Sequence, residues 1–160
     1  SQLIIFGGDM SSSKLLAKIY QDFTKCICKD YVYTDAVAAS LIKYSMNSFL
    51  ATKVTFFNEL NSLFGQSGTS ESWDDFISFL AKDPRIGNSH MEVPGHDGRL
   101  GYGGACLPKD SNAFYVYSEE IGKPLNLLKT VIKANNKIRA SYNTETQREN
   151  EQNIDFKGDK

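Results

Sequence analysis

The sequence has one tryptophan, three cysteines and four prolines in 160 residues. No apolar run approaches the ~20 residues that a membrane-spanning helix needs, and no signal peptide opens the chain. Neither sign of charge dominates: 18 Lys and Arg against 19 Asp and Glu leave a formal net charge of −1. The expectation is a soluble, cytoplasmic chain with no membrane and no nucleic-acid partner, since nothing in its charge would draw a polyanion. Three cysteines without a secretory signal do not make a disulfide framework. Cys26 and Cys28 form a C-x-C pair, but a structural zinc needs four ligands and His90 and His96 lie far along the chain. No metal is therefore expected, and the pair reads as two small, semi-buried residues. Also missing are a P-loop, a Gly-x-Ser-x-Gly elbow and a Gly-x-Gly-x-x-Gly between a strand and a helix. Gly101-x-Gly103-Gly104 follows a loop and lacks the third glycine.

What is present is enough apolar material, 41% of residues, to bury the core of one domain. Residues 3–7 are a short apolar run ending at Gly7-Gly8, the pattern of a strand and turn. Ser11, Ser12 and Ser13 offer an N-cap to a helix with Leu15, Leu16, Ile19, Tyr20 and Phe23 at helical spacing. Residues 31–34 read as a second strand. Two strands around one helix cannot stand alone, so this part looks like a remnant of something larger. From Asp35, Ile42, Met46, Phe49, Leu50, Phe57, Leu60, Leu63 and Phe64 recur at three- and four-residue steps, with no Gly or Pro before Gly65. That predicts a helix of about thirty residues, stopped by Gly65 and Gly68. A stripe so long needs other helices or a second copy of itself to cover it. A shorter helix over 71–81 carries Trp73, Phe76, Ile77 and Leu80 and ends before Pro84. Residues 85–108 are glycine-rich and aperiodic, and a loop of that length in a compact domain is functional or disordered. Pro108 can start a helix that stops at Gly122, and a last helix runs from about Pro124 to Tyr142. The polar tail 143–160 reads as a frayed end or linker.

Three features could carry chemistry. Cys106 falls at the end of a glycine-rich run, just before the expected helix, where unpaired backbone N–H groups favour a thiolate. Lys109 adds to that field, and Asp110, one turn on, can orient a proton acceptor or a water. The same residues equally describe a turn with a buried cysteine. Lys43 and Asn47 share a helix face, and an amine beside an amide can stabilise an oxyanion; a wet helix face has the same look. Arg85, in Asp83-Pro84-Arg85-Ile86-Gly87, can offer a guanidinium fork to phosphate or sugar hydroxyls, or form a surface salt bridge.

Taken in order, these segments resemble the UDP-glucose/GDP-mannose dehydrogenase family. Leu41 to Lys53 is similar to its long-helix signature, with Lys43 and Asn47 four apart before Phe49-Leu50-Ala51. Asp83 to Gly87 is similar to its loop arginine, and Gly101 to Asp110 to its cysteine motif. Phe6-Gly7-Gly8-Asp9 resembles the end of the family's nucleotide-binding domain, and Phe156-Lys157-Gly158 the opening of its last domain.

The resemblance implies a mainly α fold: a helical central dimerisation domain, like the C-terminal domain of 6-phosphogluconate dehydrogenase, behind a small β remnant of the preceding Rossmann domain. Residues 1–34 would be that remnant, 35–142 the helical domain, and 143–160 a linker toward a domain for the nucleotide of the substrate. It implies oxidation of a UDP-sugar C6 alcohol to a carboxylate with NAD, whose site is mostly outside this chain. Cys106 would carry a thiohemiacetal and then a thioester. Lys43 and Asn47 would steady the oxyanions and Asp110 the water. Arg85 would reach a neighbouring subunit's substrate, Tyr102 and Gly103 would line the sugar pocket, and Lys109 would meet NAD. A homodimer would form through the long helix, 35–64. Two other readings use the same residues: a helical dimerisation or scaffold module without activity, and a cysteine hydrolase, against which the lack of an adjacent histidine counts.

Overall fold

The structure is a computed structural model that describes residues 3–27, 30–144 and 146–157. Cys28, and the Gly158 of the motif at the end of the chain, lie outside the described residues. The chain is mainly helical, as expected, with a two-stranded parallel sheet at its start. It forms two compact units, Ser1–Met46 and Asn47–Lys160.

In the first unit β1 (Leu3–Gly7) pairs in parallel with β2 (Asp30–Thr34), Ile5 opposite Val32, and α1 (Met10–Phe23) makes the connection that a parallel pair requires. Phe6 is buried and lies among Tyr20, Tyr31 and Tyr33, with ring centroids 5.8, 6.1 and 5.9 Å away. Two details differ from expectation. Asp9, not the serine run, caps α1, accepting the Ser12 N–H at 2.8 Å. Its carboxylate accepts from the Ser11 hydroxyl as well, and Ser11–Ser13 lie inside the start of the helix. The buried residues of α1 are also small ones, Ser13 and Ala17, while Leu15 and Phe23 are 64% and 82% exposed. Small side chains let the helix lie close to its neighbours, and its apolar stripe is left in solvent.

The long helix is α2 (Ala36–Gln66), 31 residues, and the boundary between the units falls within it. It runs through Gly65, which costs a helix end about 1 kcal/mol at most, and the chain turns at Gly68 instead. In the second unit α3 (Trp73–Leu80) is capped by Ser72, which accepts the Asp75 N–H at 3.1 Å. Trp73 and Phe76 pack on Phe64, 5.4 and 4.9 Å between centroids. A loop then leads to α4 (Cys106–Glu120) and α5 (Asn126–Arg139), shorter than the expected span to Tyr142. The first half of the polar tail is not frayed. It forms α6 (Gln147–Glu151), held by a capping box between Thr146 and Glu149.

The Asp9 cap has a pH signature. Hydrogen bonds from Ser11, then Ser12, lower its pKa from 3.8 to about 2. A lowered carboxylate stabilises the fold above its ordinary value and loses that contribution as pH falls through the folded value. An NMR titration of Asp9 is expected to give a midpoint of about 2; a midpoint at the ordinary aspartate value would mean that the cap does not form.

Candidate active site

The glycine-rich run leads straight into α4, and Cys106 is the helix's first residue rather than the one before it. Pro108, expected to start the helix, is its third residue. First-turn N–H groups have no intrahelical partner, so a proline is tolerated anywhere in that turn. The N-cap position, Ala105, makes no side-chain cap, and the first turn has no acidic residue. No side chain of the first turn offsets the positive end of the helix dipole, where the free, exposed thiol of Cys106 sits.

One turn on, Asp110 is 1% exposed. It accepts the Asn47 Nδ2–H at 2.5 Å and pairs with the Lys109 ammonium at 2.7 Å. A carboxylate buried to this degree needs such partners, because an unpaired charge there would be costly. Asn47 and Asp110, read separately from sequence, are thus brought together 63 residues apart. Lys43 lies one turn before Asn47 on α2, its ammonium 5.3 Å from the centroid of the Tyr44 ring.

Ahead of Cys106 the loop is held by side chains. Asn58 accepts the Gly101 N–H at 2.8 Å. Asn135, fully buried, takes both sides of one residue: it accepts the Tyr102 N–H at 2.6 Å and donates to the Tyr102 carbonyl at 3.0 Å. Glu149 accepts the Gly104 N–H at 3.2 Å. A Cβ on Gly103 would run into the Arg139 guanidinium and the Glu149 carboxylate, so any larger residue here has to displace this buried ion pair. Tyr102 is buried with Ala51 and Val131. Burial pushes its phenol well above the ordinary tyrosine range, with the Ser111 hydroxyl acting in the opposite direction.

Tyr102 and Gly103 line a cleft of about 410 Å³, with Val54, His90, His96 and Leu107. Burial, then the charges of Lys53 and His96, lower the His90 pKa against the pull of Glu92. No group of three or more His, Cys, Asp or Glu could hold a metal among the described residues.

Arg85 does not offer an open fork. Its side chain is 87% exposed and grips Asp83, with Nη2 2.6 Å and Nε 3.0 Å from the carboxylate oxygens. The loop around it is tied to α2 by Lys53, whose ammonium donates to the carbonyl of Ile86 at 2.9 Å.

Sequence reasoning missed Asn58, Asn135, Arg139 and Glu149. For two of them a signal existed. Asn135 and Arg139 continue the stripe of Leu128, Val131 and Ile132 on α5, and polar residues in the phase of a buried stripe are there to satisfy something.

The family model for the UDP-glucose/GDP-mannose dehydrogenase family, central domain, matches residues 37–137. A UDP-glucose 6-dehydrogenase of Rickettsia felis is 34% identical over 134 residues, 84% of this chain and 28% of that protein. UDP-glucose 6-dehydrogenase YwqF of Bacillus subtilis is 31% identical over 140 residues, 87% of this chain and 29% of its own length. The solved structure of a UDP-glucose dehydrogenase from Pyrobaculum islandicum superposes with a TM-score of 0.70 at 28% identity, covering 85% of this chain and 29% of that one. The chain thus spans less than a third of the relatives it matches.

The Asn135 clamp is testable by stability. Asn135→Ala leaves the Tyr102 N–H and carbonyl buried without their partner, a loss of about 3 kcal/mol. Urea unfolding should show this as a lower midpoint with an unchanged slope. A change within about 0.5 kcal/mol would mean that water replaces the amide at no cost.

Proposed function

The chain belongs to the UDP-glucose/GDP-mannose dehydrogenase family, and we propose that it supplies the cysteine-bearing central portion of an NAD-dependent UDP-glucose 6-dehydrogenase. The observation that carries this reading is the hydrogen bond from Asn47 to Asp110. It joins the amide of the long-helix signature to the carboxylate one turn from Cys106.

In this reading Cys106 is the nucleophile. Its sulfur adds to C6 of the sugar at the aldehyde level, and the carbonyl oxygen, taking a proton, becomes the hydroxyl of a thiohemiacetal. Loss of that proton and of the C6 hydride gives a thioester. Water attacks the thioester carbon, the C–S bond breaks, and the carboxylate leaves while the thiol is restored. Lys43 and Asn47 steady the oxygen as it gains negative charge. Asp110, held by Asn47 and Lys109, orients the water. Tyr102 and Gly103 line the sugar's cleft, and Arg85 exchanges Asp83 for the substrate of a neighbouring subunit. NAD, when bound, supplies the acceptor for the hydride in each of the two oxidations. The half-exposed ammonium of Lys109 suits that anionic dinucleotide, and the rest of the site belongs to residues outside this chain. Residues 1–34 then close a nucleotide-binding domain, 35–142 form the central domain and 143–160 lead onward; alone, the chain does not turn over.

The partner in assembly is a second copy through α2. Phe49, Phe56 and Leu63 repeat every seven residues and are 69%, 57% and 66% exposed, a seam that an identical helix would cover. No helix among the described residues is long and apolar enough to cross a membrane.

Turnover decides the matter. In the dehydrogenase polypeptide that carries this chain, Cys106→Ser should lower acid formation from UDP-glucose and NAD by about a thousandfold or more, with UDP-glucose binding kept. Acid formation within tenfold of the unaltered enzyme would exclude Cys106 as nucleophile.

A further inference from the structure

Glu149 stands in the segment that reads as a polar tail, beyond the residues matched to the family's central domain. It is nevertheless 1% exposed. Its Oε2 accepts the Thr146 N–H at 2.7 Å, which completes the capping box of α6. A capping box needs only that oxygen. Its Oε1 is turned the other way, to the Arg139 guanidinium at 2.5 Å and the Gly104 N–H at 3.2 Å. Arg139 is itself 3% exposed and fixed from three sides: Asp97 at 2.8 Å, Glu149, and the ring of Phe156 with its centroid 5.4 Å away. The carboxylate is held in place before it meets the loop.

Gly104 is two residues ahead of Cys106. Ala105 between them makes no side-chain cap, so α4 has no cap of its own to fix its first turn. The side chain that holds the backbone entering α4 is Glu149, from 45 residues away. Anchoring the tail alone would require only the Arg139 pair; the bond to Gly104 ties the tail to the cysteine.

We propose that Glu149, oriented by Arg139, is a positioning residue for Cys106, setting through the Gly104 amide where the first turn of α4 carries the sulfur. The inference rests on the reading of Cys106 as nucleophile. It makes segment 146–157 part of the site's support, so that whatever binds or moves this segment is felt at the sulfur.

Iodoacetamide labelling of the whole chain, followed peptide by peptide with Cys26 as internal reference, tests it without turnover. In the unaltered chain Cys106 should label faster than Cys26 near neutral pH. Glu149→Ala should slow Cys106 at least about threefold relative to Cys26. Glu149→Gln, which keeps an acceptor for Gly104, should restore most of the rate, a rescue that general loosening would not produce. A fast Cys106 left unchanged by Glu149→Ala overturns the positioning role alone. A Cys106 no faster than Cys26 in the unaltered chain overturns the nucleophile reading and this inference with it. Should Glu149→Ala fail to fold, hydrogen exchange in the unaltered chain decides: the Gly104 amide should exchange at least about tenfold slower than a free loop amide, and exchange at the free rate overturns the proposal.

Discussion

An irregular loop that runs into a protein's interior cannot satisfy its own backbone N–H groups, and each one left buried without a partner costs about 1–3 kcal/mol. The residues before Cys106 meet this constraint with borrowed side chains. Gly101 uses Asn58, Tyr102 uses Asn135, and Gly104 uses Glu149. The acceptors come from α2, α5 and α6, so three helices converge on one short stretch of backbone. The glycines are the other half of the same device. At Gly103 the clamp comes so close that a methyl group would overlap a guanidinium and a carboxylate. A glycine-rich run is often taken as slack. Here it is what lets the loop be gripped.

That device explains what the sequence could and could not reveal. The long helix was legible because apolar residues recur with the helical period over thirty positions and nothing breaks them. The strands, α3 and the stop at Gly122 were legible from short-range patterns. Ends were harder. Three serines advertised a cap more loudly than the single Asp9 that provides it, and Pro108 drew the start of α4 two residues past Cys106. The clamp was the least visible part. Asn135 and Arg139 are polar residues on a helix, which by default lie on its wet side; only their phase with Val131 and Ile132 gave them away. For Glu149 the local signal, Thr146-x-x-Glu149, speaks of a helix cap and says nothing of a partner amide 45 residues distant.

Arg85 shows the opposite case, a residue whose alternatives were both visible. An arginine two residues after an aspartate, across a proline, can fold back onto it, and it does. At 87% exposure such a pair adds little stability, since water screens it and two side chains lose freedom to make it. Lys53 keeps the loop that carries the pair tied to α2.

α2 itself has to be read from both sides. Asn47, Ala51, Val54 and Asn58 follow one another by four, three and four residues, and at about 100° per residue they stay within one narrow face. That face meets the cysteine motif: Asn47 at Asp110, Ala51 and Val54 beside Tyr102, Asn58 at Gly101. Phe49, Phe56 and Leu63 fall about 180° away on the same count, and they are the exposed ones. A helix with apolar residues on two opposite faces has little net amphipathicity, which is why periodicity alone showed a long helix but not its division of labour. One face is occupied by the chain's own loop. The opposite face carries three large apolar side chains that nothing in this unit covers, and a second α2 would cover them with the same three residues. A dimer made this way would brace the rod from behind, leaving Asn47 and Asn58 less freedom to move relative to the loop they hold. Assembly and catalytic geometry would then depend on the stiffness of one helix.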